Sequence, residues 1–265
     1  MPTLTESSPL AGGWAPGPDP ALWAVCPPLL AEGVVHVWRA DLAAVADEVC
    51  GLLCGEERAR AERMLNERAR QLWMRSRGLL RALLGGYLQQ DPRTLRLATG
   101  AHGKPALLES WPAATATADL AAPSAAPLSF NLSHSGHLAL YAFTTAGPIG
   151  VDVEVARRPI DAVGIARRAF GAAEAERLAG LEPKAREQEF LRAWVRREAE
   201  LKCMGTGIGG AEAPAGGRAA WIAELEMGPR AAAAVAAGGR PRELRCWNWP
   251  PVHEQRGAAS EADAG

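Results

Sequence analysis

The run Ile149-Gly150-Val151-Asp152-Val153-Glu154-Val155 constrains this chain more than any other segment. Its β-branched residues suit a pleated strand, and side chains two apart share a face. Val151, Val153 and Val155 are therefore expected to point into a core, with Asp152 and Glu154 together on the opposite face. Such a strand needs a sheet beside it and an apolar layer beneath it. Two carboxylates held this close repel each other and favour a cation between them. Their hard oxygens suit Mg²⁺, which binds through a few carboxylates and a substrate phosphate while keeping several waters. Read alone, the pair is also what a strand emerging into solvent would carry.

The second constraint is a helix over residues 184–204, the longest of three expected after Val155, closed by Gly205-Thr206-Gly207, with glycine at the position where helices commonly end. It carries Trp194-Val195-Arg196-Arg197-Glu198-Ala199-Glu200-Leu201-Lys202. Glu198 and Lys202 are four apart and share a helix face, which by itself describes an ordinary surface pair worth about 0.2–0.5 kcal/mol. Composition sharpens the reading here. The chain has only three lysines, Lys104, Lys184 and Lys202, against 26 arginines. A lysine in such a chain marks a place where an ammonium and a guanidinium are not interchangeable.

Around these two elements the pattern predicts an α+β chain. A strand is expected over Gly33–Ala40, a helix capped by Asp41 running through Leu53, and two helices between Glu56 and Leu88. Short strands over Leu128–Leu132 and Leu138–Thr144 flank Ser133-His134-Ser135-Gly136, where His134 reads as a turn histidine. Ala146-Gly147-Pro148 is a turn. Helices follow over 161–170 and 173–180, and strands over Trp221–Met227 and Leu244–Trp249. The order of strand, helices and strands occurs twice, so two similar α+β lobes meeting near residue 147 are expected. The division is a loose N-terminus over 1–22, a first lobe over 23–147, a second over 148–249, and a polar tail over 250–265. Residues 111–127, rich in Ala and Pro, read as an insertion in the first lobe.

The bulk numbers exclude several classes. A formal net charge of −1 gives no argument for nucleic acid or a membrane surface. Residues 1–20 lack the basic and apolar regions of a signal peptide, and no apolar run is long enough to span a bilayer. Cys26, Cys50, Cys54, Cys203 and Cys246 are odd in number and contain no C-x-x-C pair, which fits reduced thiols in the cytoplasm.

Smaller motifs complete the set. Ser133 beside His134 is not a nucleophile and base, because strand neighbours point to opposite faces and no G-x-S-x-G turn is present. His134 and His137 lack the further ligands of a zinc site. Gly103-Lys104-Pro105 is a turn that presents a lysine, and Gly205-Thr206-Gly207 lacks the lysine of a phosphate-binding P-loop. The arginine-rich stretch 56–81, with Arg60 among its cations, is interleaved with glutamates and reads mostly as a solvated helix face.

In this order, Gly103-Lys104-Pro105, Phe130-Asn131-Leu132-Ser133-His134-Ser135, Ile149 to Glu154, and Trp194 to Lys202 with Gly205-Thr206-Gly207 resemble the 4′-phosphopantetheinyl transferase superfamily, in its two-lobed surfactin-synthetase-activating form. The resemblance covers about residues 55–210. It rests on G-[VI]-D-x-E and W-x-x-K-E-A-x-x-K, some 40 residues apart. It implies transfer of the phosphopantetheine arm of coenzyme A to a serine of an apo acyl or peptidyl carrier protein, with release of 3′,5′-ADP. It further implies that Asp152, Glu154 and Glu198 bind Mg²⁺, that Glu198 is the general base, and that Lys202 contacts the scissile phosphate. Lys104, Ser133, His134 and Arg60 match positions that hold the 3′-phosphate and adenosine of coenzyme A. Ile165 and Phe170 are candidates for carrier docking, and the two-lobed form implies a cytoplasmic monomer, a pseudo-dimer of lobes with its active site in the cleft between them. Arg197 stands where the family signature has lysine. Another Mg²⁺-dependent phosphoester-cleaving enzyme would use the same acids without accounting for the GKP and SHS segments. A non-catalytic carrier-binding module would not need the complete set of Asp152, Glu154, Glu198 and Lys202.

Overall fold

A computed structural model describes residues 13–17, 28–99, 105–108, 127–157, 160–205 and 221–249. The elements are β1 (Ala15–Pro16), β2 (Val34–Asp41), a 3₁₀ helix (Asp47–Leu52), α1 (Gly55–Glu62), α2 (Glu67–Leu88), β3 (Leu97–Thr99), β4 (Pro105–Leu107), β5 (Ser129–Ser135), β6 (Leu138–Thr144), β7 (Ile149–Val155), α3 (Ala162–Ala169), α4 (Ala172–Ala179), α5 (Pro183–Met204), β8 (Trp221–Leu225), β9 (Ala231–Ala237) and β10 (Glu243–Trp249). This is a mixed α and β chain with three sheets. Five strands run in the order β1-β10-β2-β6-β5, three in the order β7-β9-β8, and β3 pairs with β4. Strand β10, late in the sequence, lies in the same sheet as β2 and parallel to it, with Glu243 opposite Val34 and Trp249 opposite Ala40.

Alternation decides the layers. Along β2, Trp38 and Ala40 face α2 and join Leu79, Leu80, Leu83, Leu84, Tyr141 and Phe143 in one core. Val35 and Val37 face the other way and pack with Val151, Val153 and Val235 of the three-stranded sheet. On that sheet's far side, Ala232, Ala234 and Ala236 meet Val195, Ala199 and Cys203 of α5 together with α3 and α4. The five-stranded sheet therefore lies between α2 and the three-stranded sheet, which in turn carries α5.

Local chemistry fixes the helix starts. Asn66 accepts the Ala69 N–H at 2.9 Å to open α2. Glu57 returns a carboxylate oxygen to the Cys54 N–H at 3.0 Å to open α1. The same Glu57, 7% exposed, also accepts from Arg77 and Arg81, and Arg81 is 1% exposed. Arg81 donates further to the Pro92 and Leu95 carbonyls at 2.7 and 3.0 Å. Tyr87 ties α2 to β2, with its hydroxyl 2.8 Å from both Trp38 Nε1 and His36 Nδ1.

Three expectations change. The helix expected over Asp41–Leu53 is a turn followed by the 3₁₀ helix, because Asp41 spends its carboxylate on the Ala43 N–H and on His137. His134 sits within β5, not in a turn; the chain reverses at Gly136-His137, with Gly136 at φ +66°. Strand β9 was not anticipated, since alanine has low strand preference. Among the described residues Cys50 and Cys54 are half-buried and Cys203 and Cys246 buried, and Cys26 lies outside the described residues. Among the described residues no helix is long and apolar enough to cross a membrane.

Candidate functional site

Strand β7 presents its acids to α5 through close backbone packing. A Cβ at Gly150 would lie 2.1 Å from the Ala199 carbonyl oxygen and 2.4 Å from the Cys203 nitrogen. Opposite Gly150, Asp152 and Glu154 in the ladder stand Ala236, Ala234 and Ala232. Methyl groups are all that fits where α5 lies this close. The glycine and the alanines of β9 thus bring Glu198 and Lys202 down onto Asp152. We expect Gly150→Ala to cost about 1–3 kcal/mol or more through overpacking and to lower activity along with stability. Urea unfolding followed by assay of the folded fraction checks this, and an unchanged midpoint would refute the packing account.

The candidate residues meet at this junction. Lys202 Nζ donates to Asp152 Oδ1 at 2.6 Å, to Ser133 Oγ at 2.9 Å and to the Val151 carbonyl at 3.3 Å. Ser133 Oγ donates in turn to Asp152 Oδ1 at 2.8 Å. Ser135 Oγ donates to Glu154 Oε2 at 2.9 Å and accepts the Val155 N–H at 3.2 Å. Asn131 Oδ1 accepts the Val151 N–H at 2.8 Å. Asp152 and Glu198 are buried, at 4% and 5% exposure. Burial pushes the Glu198 carboxyl above its usual range, and Asp152 and Glu154 add to the push against Lys202 and Arg197. Burial also raises Glu154, opposed by the Ser135 hydrogen bond and reinforced by Asp152.

Asp152 Oδ2 is buried with no hydrogen-bond partner. An unpartnered anionic oxygen beside two further glutamates fits a hard cation. Among the described residues no three His, Cys, Asp or Glu side chains are grouped closely enough to hold a metal ion as they stand. The donor chemistry suits Mg²⁺, while the carboxylates share a junction without forming a finished cage.

Other predicted residues lie elsewhere or outside the described residues. His134 is exposed on β5; the protein around its ring, and then the Lys202 charge, hold its imidazole below the usual range. Arg60 packs over the Trp73 ring, 5.3 Å from its centroid, and takes no part in the contacts just described. Lys104, Thr206 and Gly207 are outside the described residues. Arg197 donates to the Ala169 carbonyl at 2.7 Å and lies over Phe170. It thereby satisfies a carbonyl at the end of α3, where a cation is favoured. Ile165 and Phe170 are half-buried against the α3, α4 and α5 cluster. A cleft of about 520 Å³ lies between the N-terminal half of α5 and the β8–β9 turn, and none of the candidate residues lines it. Asn131 and Ser135 were not singled out from the sequence, although their two-residue spacing from Ser133 places all three on one face.

The model of the 4′-phosphopantetheinyl transferase superfamily matches residues 148–226, from the turn before β7 to just beyond β8. The chain is 34% identical over 191 residues to the 4′-phosphopantetheinyl transferase HetI of Nostoc sp., covering 70% of this chain and 76% of that protein. It is 33% identical over 159 residues to a putative 4′-phosphopantetheinyl transferase of Synechocystis sp., covering 60% of this chain and 59% of the relative. It is 26% identical over 162 residues to the 4′-phosphopantetheinyl transferase ffp of Bacillus subtilis, covering 61% and 64%. Agreement over three quarters of the HetI protein, together with a match that takes in both β7 and α5, makes this chain a member of the 4′-phosphopantetheinyl transferase superfamily.

Proposed function

We propose that this chain transfers the 4′-phosphopantetheine arm of coenzyme A to a serine of an apo acyl or peptidyl carrier protein and releases 3′,5′-ADP. The observation that carries the reading is the junction of Asp152, Glu198 and Lys202 across β7 and α5, with one Asp152 oxygen buried and unpartnered. Asp152, Glu154 and Glu198 would hold Mg²⁺, which supplies charge neutralisation on the pyrophosphate when bound.

The protein's own groups do the rest. The carrier serine oxygen attacks the phosphorus that bears the pantetheine, the bond from that phosphorus to 3′,5′-ADP breaks, and the serine proton passes to Glu198. A carboxyl whose affinity for a proton is raised by burial and by neighbouring acids is suited to that task. The Lys202 ammonium steadies the negative charge that gathers on the leaving group. Lys104, His134 and Arg60 are assigned to the adenosine 3′-phosphate. We assign 23–147 and 148–249 to two α+β lobes on either side of the active site; β10, in the second stretch, pairs with β2 of the first. The chain acts as a cytoplasmic monomer, with neither nucleic acid nor a membrane as partner.

The test is mass spectrometry of purified apo carrier proteins after incubation with this protein, coenzyme A and Mg²⁺. The expected result is a mass gain of one phosphopantetheine arm, abolished by chelation. Binding of coenzyme A without any gain across several carrier types would refute transfer, and hydrolysis of coenzyme A without a carrier would point to phosphoester cleavage instead.

A further inference from the structure

Strand β5 is the last strand of the five-stranded sheet and β7 the first of the three-stranded sheet, and they are not paired by a backbone ladder. Side chains join them instead. Alternate residues of β5 reach across one rung at a time: Asn131 to the Val151 N–H, Ser133 to Asp152, and Ser135 to Glu154 and the Val155 N–H. The two acids are thus gripped by two hydroxyls with the same two-residue spacing.

We propose that Ser133 and Ser135 are positioning residues for this acid pair, each hydroxyl holding one carboxylate oxygen and so fixing the rotamer that a cation meets. The proposal rests on the reading of Asp152 and Glu154 as metal ligands. A serine hydroxyl has one proton to give and two lone pairs to receive. Ser133 gives its proton to Asp152 Oδ1 and receives from Lys202. Ser135 gives its proton to Glu154 Oε2 and receives from the Val155 N–H. A phosphate oxygen needs a donor, and neither hydroxyl has a proton left for one. A 3′-phosphate contact through the Ser133 hydroxyl would have to break the bond to Asp152. Ser133 is also 7% exposed, facing the acids and not solvent. With Oδ1 occupied by Ser133 and Lys202, the buried Oδ2 of Asp152 is the oxygen left for a cation. Hydroxyl bonds to ionised carboxylates are among the stronger hydrogen bonds. Partners that orient metal ligands in this way typically change metal affinity by about 10–100-fold when removed.

The experiment uses two probes on the full chain. Mn²⁺ is titrated in the presence of saturating coenzyme A and followed by electron paramagnetic resonance. 3′,5′-ADP is titrated in EDTA by calorimetry and reports the adenosine phosphate subsite without metal. Ser133→Ala and Ser135→Ala are each expected to weaken Mn²⁺ by about 10–100-fold and to leave 3′,5′-ADP binding unchanged. Ser135→Thr, which keeps the hydroxyl, is expected to restore Mn²⁺ affinity. If Ser133→Ala weakens 3′,5′-ADP while Mn²⁺ affinity holds, that serine is a phosphate contact and the proposal is overturned. The proposal also fails if Ser135→Ala leaves Mn²⁺ affinity unchanged while Asp152→Asn abolishes it. If Asp152→Asn itself leaves Mn²⁺ affinity intact, the metal reading falls, and this inference falls with it.

Discussion

Glu198→Gln is expected to slow arm transfer by about 10²–10⁴-fold, the usual contribution of a positioned proton acceptor, in a protein at least as stable as the parent. The two halves of this result come from the same environment. Glu198 is buried on α5, and burial with the Asp152 charge raises its proton affinity above the usual 4.5. Its native form therefore holds a proton in a pH window where the unfolded chain has released it. By linkage, stability without metal falls as pH rises from about the unfolded value through the raised native value, and Glu154 acts in the same direction. Glutamine keeps the shape, removes the charge and flattens that fall. Transfer rate follows the opposite sign, since the proposed base must be ionised, and in the parent it declines on acidification. Rates measured against pH, with thermal melts over the same range in EDTA, check both. A variant within a few-fold of the parental rate would remove Glu198 from the chemistry. A melting temperature well below the parent's would remove the charge-repulsion account.

Glu57→Ala is expected to produce the largest loss of stability. Arg81 is 1% exposed and is held by Glu57 together with two carbonyls; Arg77 shares the same carboxylate. Removing one member of a buried pair leaves an uncompensated charge, at a cost of about 3–5 kcal/mol. For a chain of this size that corresponds to a fall in Tm on the order of 10 °C. Calorimetry of the variant checks the figure. Adding Arg81→Met removes the stranded charge and should recover part of the loss; a double variant no more stable than the single would show that the charge is not the cause. Burial alone would raise the Glu57 carboxyl, but hydrogen bonds from Arg81 and Arg77 outweigh it and hold it below the usual range. Its stabilisation is therefore present above the unfolded value and lost as pH falls through the native one.

The parts legible in the sequence were those set by period. Alternating valines gave β7 and the shared face of Asp152 and Glu154, and four-residue spacing gave Glu198 and Lys202 on α5. The helices at 161–170 and 173–180 lie close to the observed α3 and α4. Features set by what lies across a gap were not legible. Ala231–Ala237 is a strand held between β7 and β8, with Ala232, Ala234 and Ala236 packed against α5, a fact of packing that alanine itself does not announce. The 3₁₀ helix at Asp47–Leu52 lies so close to α2 that a Cβ on Gly78 would meet the Val49 carbonyl oxygen at 2.2 Å. Resemblance places Ser133 beside the 3′-phosphate, while its hydrogen bond to Asp152 is set by neighbours across the β5–β7 seam. Arg197 likewise kept the charge of the family lysine but directs it to the end of α3.

The place of β10 bears on how such a chain is made. Residues 243–249 lie against β2 of the first sheet, with Trp247 stacked on Trp38 at 4.9 Å between ring centroids. Some 200 residues separate the two strands, so their pairing closes a very long loop and favours slow folding. During synthesis, β2, β5, β6 and α2 emerge long before the strand that completes their sheet. Until residue 249 has left the ribosome, one side of β2 offers unpaired backbone to any passing strand, an exposure that invites aggregation. Synthesis of this protein thus leaves β2 waiting on a partner made some 200 residues after it.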